Sequence, residues 1–267
     1  RAHDDEIGPD GSRLVDDLVH RVTGQEDVID PDAGPRDHAL GRFDRGPEAG
    51  DVLGLVPLAG RPLIDHVLNR LAGAGVETAI VNVHYLPEQI EESLARRQGM
   101  KPAILISDER DQLLDTGGGA KRALPLLGPG PFFIHNADTV WSEGASPALP
   151  RMLKLWNPDI MDCLLLLAPL ASSIGYGGKG DFAMAPDGRL TRRRERQIVP
   201  FAFAGVSLCD ARLFADAPNG KFSLNLLWDR ALAEGRLYGM RLDGHWMHVG
   251  TPEALAEAET WFEHEGA

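Results

Sequence analysis

Thr78-Ala79-Ile80-Val81-Asn82-Val83 is a nearly continuous apolar and β-branched run, with Gly73 and Gly75 upstream and Pro87 downstream. A run of this length and character reads as a strand covered on both faces. The residues flanking it read as helices. Residues 61–75 set Leu63, Val67, Leu68 and Leu71 on one helical face and stop at the two glycines. Pro87 suits a first helical position, and residues 88–97 continue the helix. Working outward, Ala103-Ile104-Leu105-Ile106-Ser107 is the next strand, residues 116–127 a helix, and Phe132-Phe133-Ile134-His135-Asn136 a strand. Residues 149–156 read as a helix, and residues 163–168 as a wholly apolar strand. This alternation predicts an α/β fold with a mostly parallel sheet and helices on both faces. Beyond residue 180 the expected strands, 182–184, 199–208 and 237–242, have fewer helices between them, so the second half is mixed. Helices over 223–234 and 252–264 close the chain.

The 267 residues carry a net charge of −13, unevenly spread. Residues 1–51 hold fourteen acids and six arginines, a net of −8. They lack a sustained apolar period and are rich in turn chemistry, as in Asp30-Pro31-Asp32-Ala33-Gly34-Pro35. Residues 1–54 are therefore expected to be an irregular acidic segment with one helical hint at residues 12–19, and residues 55–267 a compact domain. The acidity argues against binding a nucleic-acid backbone, which favours a basic face. No apolar run approaches the length of a membrane span, and no apolar leader opens the chain. Cys163 and Cys209 lack metal-site spacing and read as reduced thiols, so a cytoplasmic setting is expected.

Ligands of open α/β sheets bind beyond the carboxyl ends of the strands. Three segments fall there. Leu114-Asp115-Thr116-Gly117-Gly118-Gly119 lies between a strand and a helix. Its glycines permit close backbone approach and are expected to leave helix N-terminal N–H groups for a base, carbonyl or phosphate; the bland alternative is a flexible turn. His135-Asn136-Ala137-Asp138 follows an apolar strand, where an Asp can hold Mg²⁺ together with phosphate oxygens or simply cap a turn. His245-Trp246-Met247-His248 precedes a helix capped by Thr251, and its two histidines have no third clustered ligand, which argues against zinc. Asn82-Val83-His84 follows a strand and can line the same cleft. Tyr176-Gly177-Gly178-Lys179-Gly180 lacks P-loop spacing, and no G-x-G-x-x-G follows the first strand, which argues against a nicotinamide-dependent oxidoreductase.

Leu58-Ala59-Gly60-Arg61-Pro62-Leu63-Ile64, Thr116-Gly117-Gly118-Gly119, Asn136-Ala137-Asp138 and Val249-Gly250-Thr251-Pro252, in this order, resemble the sugar-1-phosphate nucleotidyltransferases. The likeness covers residues 55–267 and is greatest to the short bacterial branch that includes N-acetylmuramate-1-phosphate uridylyltransferases and mannose-1-phosphate guanylyltransferases. It implies a Rossmann-like α/β domain and the reaction of UTP or GTP with a sugar 1-phosphate to give a nucleotide sugar and pyrophosphate. It also implies Mg²⁺ as cofactor. By position, Thr116, Gly117, Gly118, Gly119 and Asn136 would contact the nucleotide. Asp138 would be catalytic and hold the metal, with His248 as second metal ligand. Asn82, His84, Glu195, Gly205 and Asn225 would fall near the sugar phosphate.

Two departures stand out. The family opens with a strand and an L-A-A-G-x-G-x-R loop that grips the triphosphate, followed by a lysine. Here Asp51-Val52-Leu53-Gly54-Leu55 stands where that lysine is expected, and the first lysine of the chain is Lys101. Relatives often carry an Asp where this chain has His248, a poorer ligand for Mg²⁺. Activity of the chain as written is therefore expected to be impaired, the alternative being a non-catalytic nucleotide- or sugar-phosphate-binding relative. Three explanations fit the missing loop: residues 1–54 are a frame-shifted or foreign replacement, the protein is a natural non-catalytic relative, or another segment grips the phosphates. The first is favoured, because the likeness begins abruptly near residue 55 and the chain starts at Arg1.

Overall fold

A computed structural model of the chain describes residues 52–265. The acidic stretch of residues 1–51, with its helical hint at 12–19, lies outside the described residues. The description starts at Val52, which is buried in the core, followed by a 3-10 turn at Leu53–Leu55. A short hairpin joins β1 (Pro57–Leu58) to β2 (Arg61–Pro62) through Ala59 and Gly60, both at positive φ. Then come α1 (Leu63–Gly73), β3 (Thr78–Val83), α2 (Pro87–Ala95), β4 (Ala103–Asp108), α3 (Asp115–Leu127) and β5 (Phe132–His135). After these follow β6 (Thr139–Trp141), α4 (Ala148–Leu155), β7 (Cys163–Pro169), β8 (Ser173–Ile174), β9 (Phe182–Met184) and β10 (Leu190–Arg192). The chain closes with β11 (Phe201–Cys209), α5 (Leu224–Ala233), β12 (Leu237–Arg241), β13 (Trp246–His248) and α6 (Pro252–Glu265).

The expected alternation is present, and the longer elements lie within a few residues of their expected bounds. The short strands β1, β2, β6, β8, β10 and β13 lie outside the expected elements, since runs of two or three residues seldom carry a readable period; β9 is the exception. The main sheet runs β10-β9-β11-β7-β12, with β5 also on β11. The pairing is mixed. β12 is parallel to β7, whereas β11 runs antiparallel to β5, β7 and β9. β11 can serve β7 along its whole length only because its register shifts between Phe203 and Ser207, where Gly205 takes a φ of 77°. β6, β13 and β8 form a second small sheet.

Helices cover both faces. On one side α1, α2 and α4 pack Val67, Leu68, Leu71, Ile90 and Met152 against Val81, Phe133, Leu164 and Leu166. On the other, α3 and α5 pack Ala120, Ala123, Leu227 and Ala231 against Ile80, Phe132, Ile134 and Leu165. β3 and β5 thus supply side chains to the same two layers and lie in one plane. No ladder joins them among the described residues: β3 pairs with β4, and β5 with β11. In β3, Glu77 O and Val83 O receive N–H groups from the β4 side, so Ile80 and Asn82 turn their backbone groups the other way.

Cys163 and Cys209 face each other across β7 and β11 as buried free thiols, Sγ to Sγ 3.3 Å. Burial raises the Cys163 thiol above the usual thiol range, in keeping with the reduced state expected of the pair.

Candidate active site

The chain leaves β5 into a cramped turn. Asn136 N–H donates to Gly205 O at 2.8 Å, and Thr139 Oγ1 donates to Ala204 O at 2.9 Å. A Cβ on Gly205 would overlap the Thr139 side chain, so glycine is required for the bulge of β11 to reach this turn. Gly205 therefore meets this turn through its backbone. Asp138 is buried here, and its carbonyl accepts Val249 N–H at 3.2 Å. That bond brings in β13, and His248 Nδ1 comes to 3.7 Å from Asp138 Oδ2. The two candidate metal ligands of the sequence are thus neighbours. Gly54 borders the same turn, with Ala137 Cβ 3.7 Å from where its own Cβ would stand.

Residues 116–119 form the first turn of α3, and Thr116, Gly117, Gly118 and Gly119 are all buried. The expectation that their N–H groups stand free is corrected for two of them. Gly117 N–H and Gly118 N–H donate to Phe222 O at 2.9 and 3.1 Å. In return Phe222 N–H donates to Leu114 O at 3.1 Å, and Leu224 N–H to Thr116 Oγ1 at 2.9 Å. A Cβ on Gly117 would overlap Phe222, and one on Gly118 the carbonyl of Gly220. The glycines are needed in the first place because another backbone segment lies across them. Lys121 extends the contact, donating to Ala217 O, Pro218 O and Asn219 Oδ1 at 2.6, 3.0 and 2.9 Å. This strap delivers Asn225, one residue into α5, whose Oδ1 accepts Arg192 Nη2–H at 2.6 Å. Glu195 stands exposed on the turn after β10.

At the ends of β3 and β4 a third group converges. Asn82 is buried and donates its Nδ2–H to Glu109 Oε1. His84 Nδ1 lies 2.7 Å from Glu109 O. Glu109 was not singled out in the sequence, although it follows a strand in Ser107-Asp108-Glu109, the position where site residues collect. It is almost wholly buried, and burial pushes its carboxyl above the usual range despite the bonds from Asn82 and Leu114 N–H. Deeper still, His135 stacks on Trp141 with centroids 5.4 Å apart, and the Arg70 guanidinium carbon lies 3.8 Å from the Trp141 ring centroid. Burial lowers His135 to about 3, so it is a neutral structural residue.

Among the described residues no group of three or more His, Cys, Asp and Glu side chains is disposed to hold a metal. Asp138 with His248 is too small a set for a protein-only cage. One buried carboxylate does fit Mg²⁺, which keeps few protein ligands and takes the rest from phosphates and water. Among the described residues no helix is long and apolar enough to cross a membrane.

No protein-family model matches the chain. It is 46% identical over 207 residues to the N-acetylmuramate α-1-phosphate uridylyltransferase of Caulobacter vibrioides, covering 77% of this chain and 86% of that one. It is 30% identical over 206 residues to the Neisseria meningitidis protein of the same name, covering 77% and 87%. Among solved structures, HddC from Yersinia pseudotuberculosis complexed with GMP-PN superposes with a TM-score of 0.64 at 19% identity, over 79% of this chain and 90% of that one.

Proposed function

We propose a specific reaction for this chain, which belongs to the sugar-1-phosphate nucleotidyltransferase family. As an enzyme of that family it transfers a nucleoside monophosphate from a nucleoside triphosphate to a sugar 1-phosphate. The proposed substrates are UTP and N-acetylmuramate α-1-phosphate, and the 46% identity to the Caulobacter uridylyltransferase is the observation that carries this choice. The sugar-phosphate oxygen bonds to the α-phosphorus of UTP, the α–β bridging bond breaks, and pyrophosphate leaves.

Such a displacement depends on positioning and on neutralising charge rather than on a protein nucleophile. Mg²⁺, when bound, would neutralise phosphate charge and orient the triphosphate. Asp138 would hold it, with His248 beside that carboxylate as a weaker contact. The α3 turn from Thr116 to Gly119, with Asn136, would bound the nucleotide. Asn82, His84 and Asn225 would meet the sugar phosphate. Gly205 contributes by seating β11 against Thr139. Glu195 would join them only if its turn folds over the substrate.

The test is pyrophosphate release with Mg²⁺ and each pairing of UTP or GTP with N-acetylmuramate or mannose 1-phosphate. Turnover with UTP and the N-acetylmuramate ester alone is expected, slower than in relatives whose sequence carries the L-A-A-G-x-G-x-R loop. A second reading, a relative that binds nucleotide without turnover, draws support from Gly54. It packs against Ala137 in the stretch where the resemblance would place a lysine. Binding in calorimetry with no pyrophosphate from any pair would favour that reading.

A further inference from the structure

Glu109, directly after β4, is bonded both to β3 and to the cap of α3. Its N–H donates to Val83 O at 2.8 Å, tying it to the end of β3. Its carbonyl accepts Gln112 N–H at 3.0 Å and lies 2.7 Å from His84 Nδ1. Its carboxylate accepts from Asn82 Nδ2 on β3 and from the N–H of Leu114, the residue that caps α3. Only 1% of Glu109 is exposed. A carboxylate this deep needs its bonds, because an unpaired one would lose its solvation with nothing in return. The positive end of the α3 dipole adds to the same preference. Of the titratable groups beside it, Arg122 on α3 favours the ionised form, as does the His84 ring beyond β3.

We infer that Glu109 is a positioning residue: its carboxylate clamps the end of β3 to the cap of α3 and so sets the glycine turn at the height a nucleotide requires. The inference rests on the nucleotidyltransferase reading for its ligand and on the bonding pattern for its geometry. Residues 110–113 form the loop between β4 and α3, which is also held by Arg110 on Asp108 and Glu91 and by Asp111 on Arg122. Asn82 is held by the same carboxylate. Its Nδ2 faces Glu109, so its Oδ1 must face the other way, a buried acceptor with no hydrogen-bond partner among the described residues. Reversing the amide would set two oxygens against each other.

The test uses the full 267-residue chain, unsubstituted and as Glu109→Gln, with UTP and MgCl₂ as probe. The glutamine keeps the shape but presents an NH₂ to one of two N–H donors. Loss of one charge-assisted bond should weaken UTP binding roughly tenfold. In the unsubstituted chain binding should also weaken as pH falls through the raised carboxyl range, because the protonated acid has one acceptor fewer. The variant should lose this part of the dependence, while the acid effect that arises at His135 persists in both proteins. Hydrogen exchange supplies a readout free of ligand. Gly117 and Gly118 amides should exchange about tenfold faster in the variant, with β7 and β11 amides unchanged. Unchanged exchange at those glycines would overturn the inference. Absence of UTP binding by the unsubstituted chain would overturn the nucleotidyltransferase reading and the ligand assigned here, while exchange still decides the clamp.

Discussion

His248 Nδ1 stands 3.7 Å from Oδ2 of Asp138, where a backbone bond from Val249 N–H to the Asp138 carbonyl brings their two segments together. The arrangement sets a carboxylate and an imidazole side by side, where a second carboxylate would suit Mg²⁺ better. Asp138→Asn should therefore reduce pyrophosphate release by at least about a hundredfold, the scale of one lost electrostatic contact to a transition state. His248→Asp should lower the Mg²⁺ concentration giving half-maximal rate. A magnesium titration of the three proteins checks both, and an undiminished rate in Asp138→Asn would remove Asp138 from the metal site.

Gly117→Ala and Gly118→Ala separate the packing of the glycine turn from its chemistry. Each new methyl would meet the strap at residues 220–222, whose backbone cannot easily yield. Both variants should be less stable by about 1–3 kcal/mol, the range for overpacked sites, even though alanine is the better helix former. The larger loss is expected at Gly118, where the obstacle is a main-chain carbonyl. Urea unfolding measures this directly, and equal or raised stability would show that the strap gives way.

His135 makes stability depend on acid. Its folded pKa, lowered to about 3, lies below the unfolded value near 6.5, so the unfolded chain binds the proton first as pH falls. Stability should be complete above about pH 6.5 and decline from there toward pH 3, by a few kcal/mol in all. His135→Phe keeps the stack on Trp141 and removes the titration. Its stability between pH 4 and 7 should change less than that of the unsubstituted chain in denaturant titrations at each pH.

The second edge of β3 is open to a simpler measurement. Ala79 and Val81 turn their N–H groups toward β4, whereas Ile80 and Asn82 turn theirs toward β5, with no ladder between β3 and β5 among the described residues. Amide exchange in the full chain should be faster at Ile80 and Asn82 than at their two neighbours. Equal protection along the whole strand would mean that a further segment pairs there.

The core strands and helices were readable because their signal is local. Residues 78–83 and 163–168 are apolar on both faces, and only a strand with a helix layer on each side buries such runs. Helix α1 shows its stripe in Leu63, Val67, Leu68 and Leu71 without help from the rest of the chain. Strand direction is another matter. β11 lies antiparallel between β5 and β7, a choice made by side-chain packing and by a bulge at Gly205, neither of which leaves a period in the sequence.

The amino-acid sequence by itself determined the α/β alternation, the positions of the long elements and the order of motifs from Leu58 to Pro252, since these rest on residue type and near-neighbour spacing. Only the tertiary structure decided what those motifs touch. It turned two of the three glycine N–H groups toward Phe222, set His248 beside Asp138, and made an unremarked Glu109 the junction of β3 and α3. Each of these contacts joins residues far apart in the chain or on different elements. Hydrogen bonds and packing of that kind are settled by how the layers close, and no local pattern encodes them.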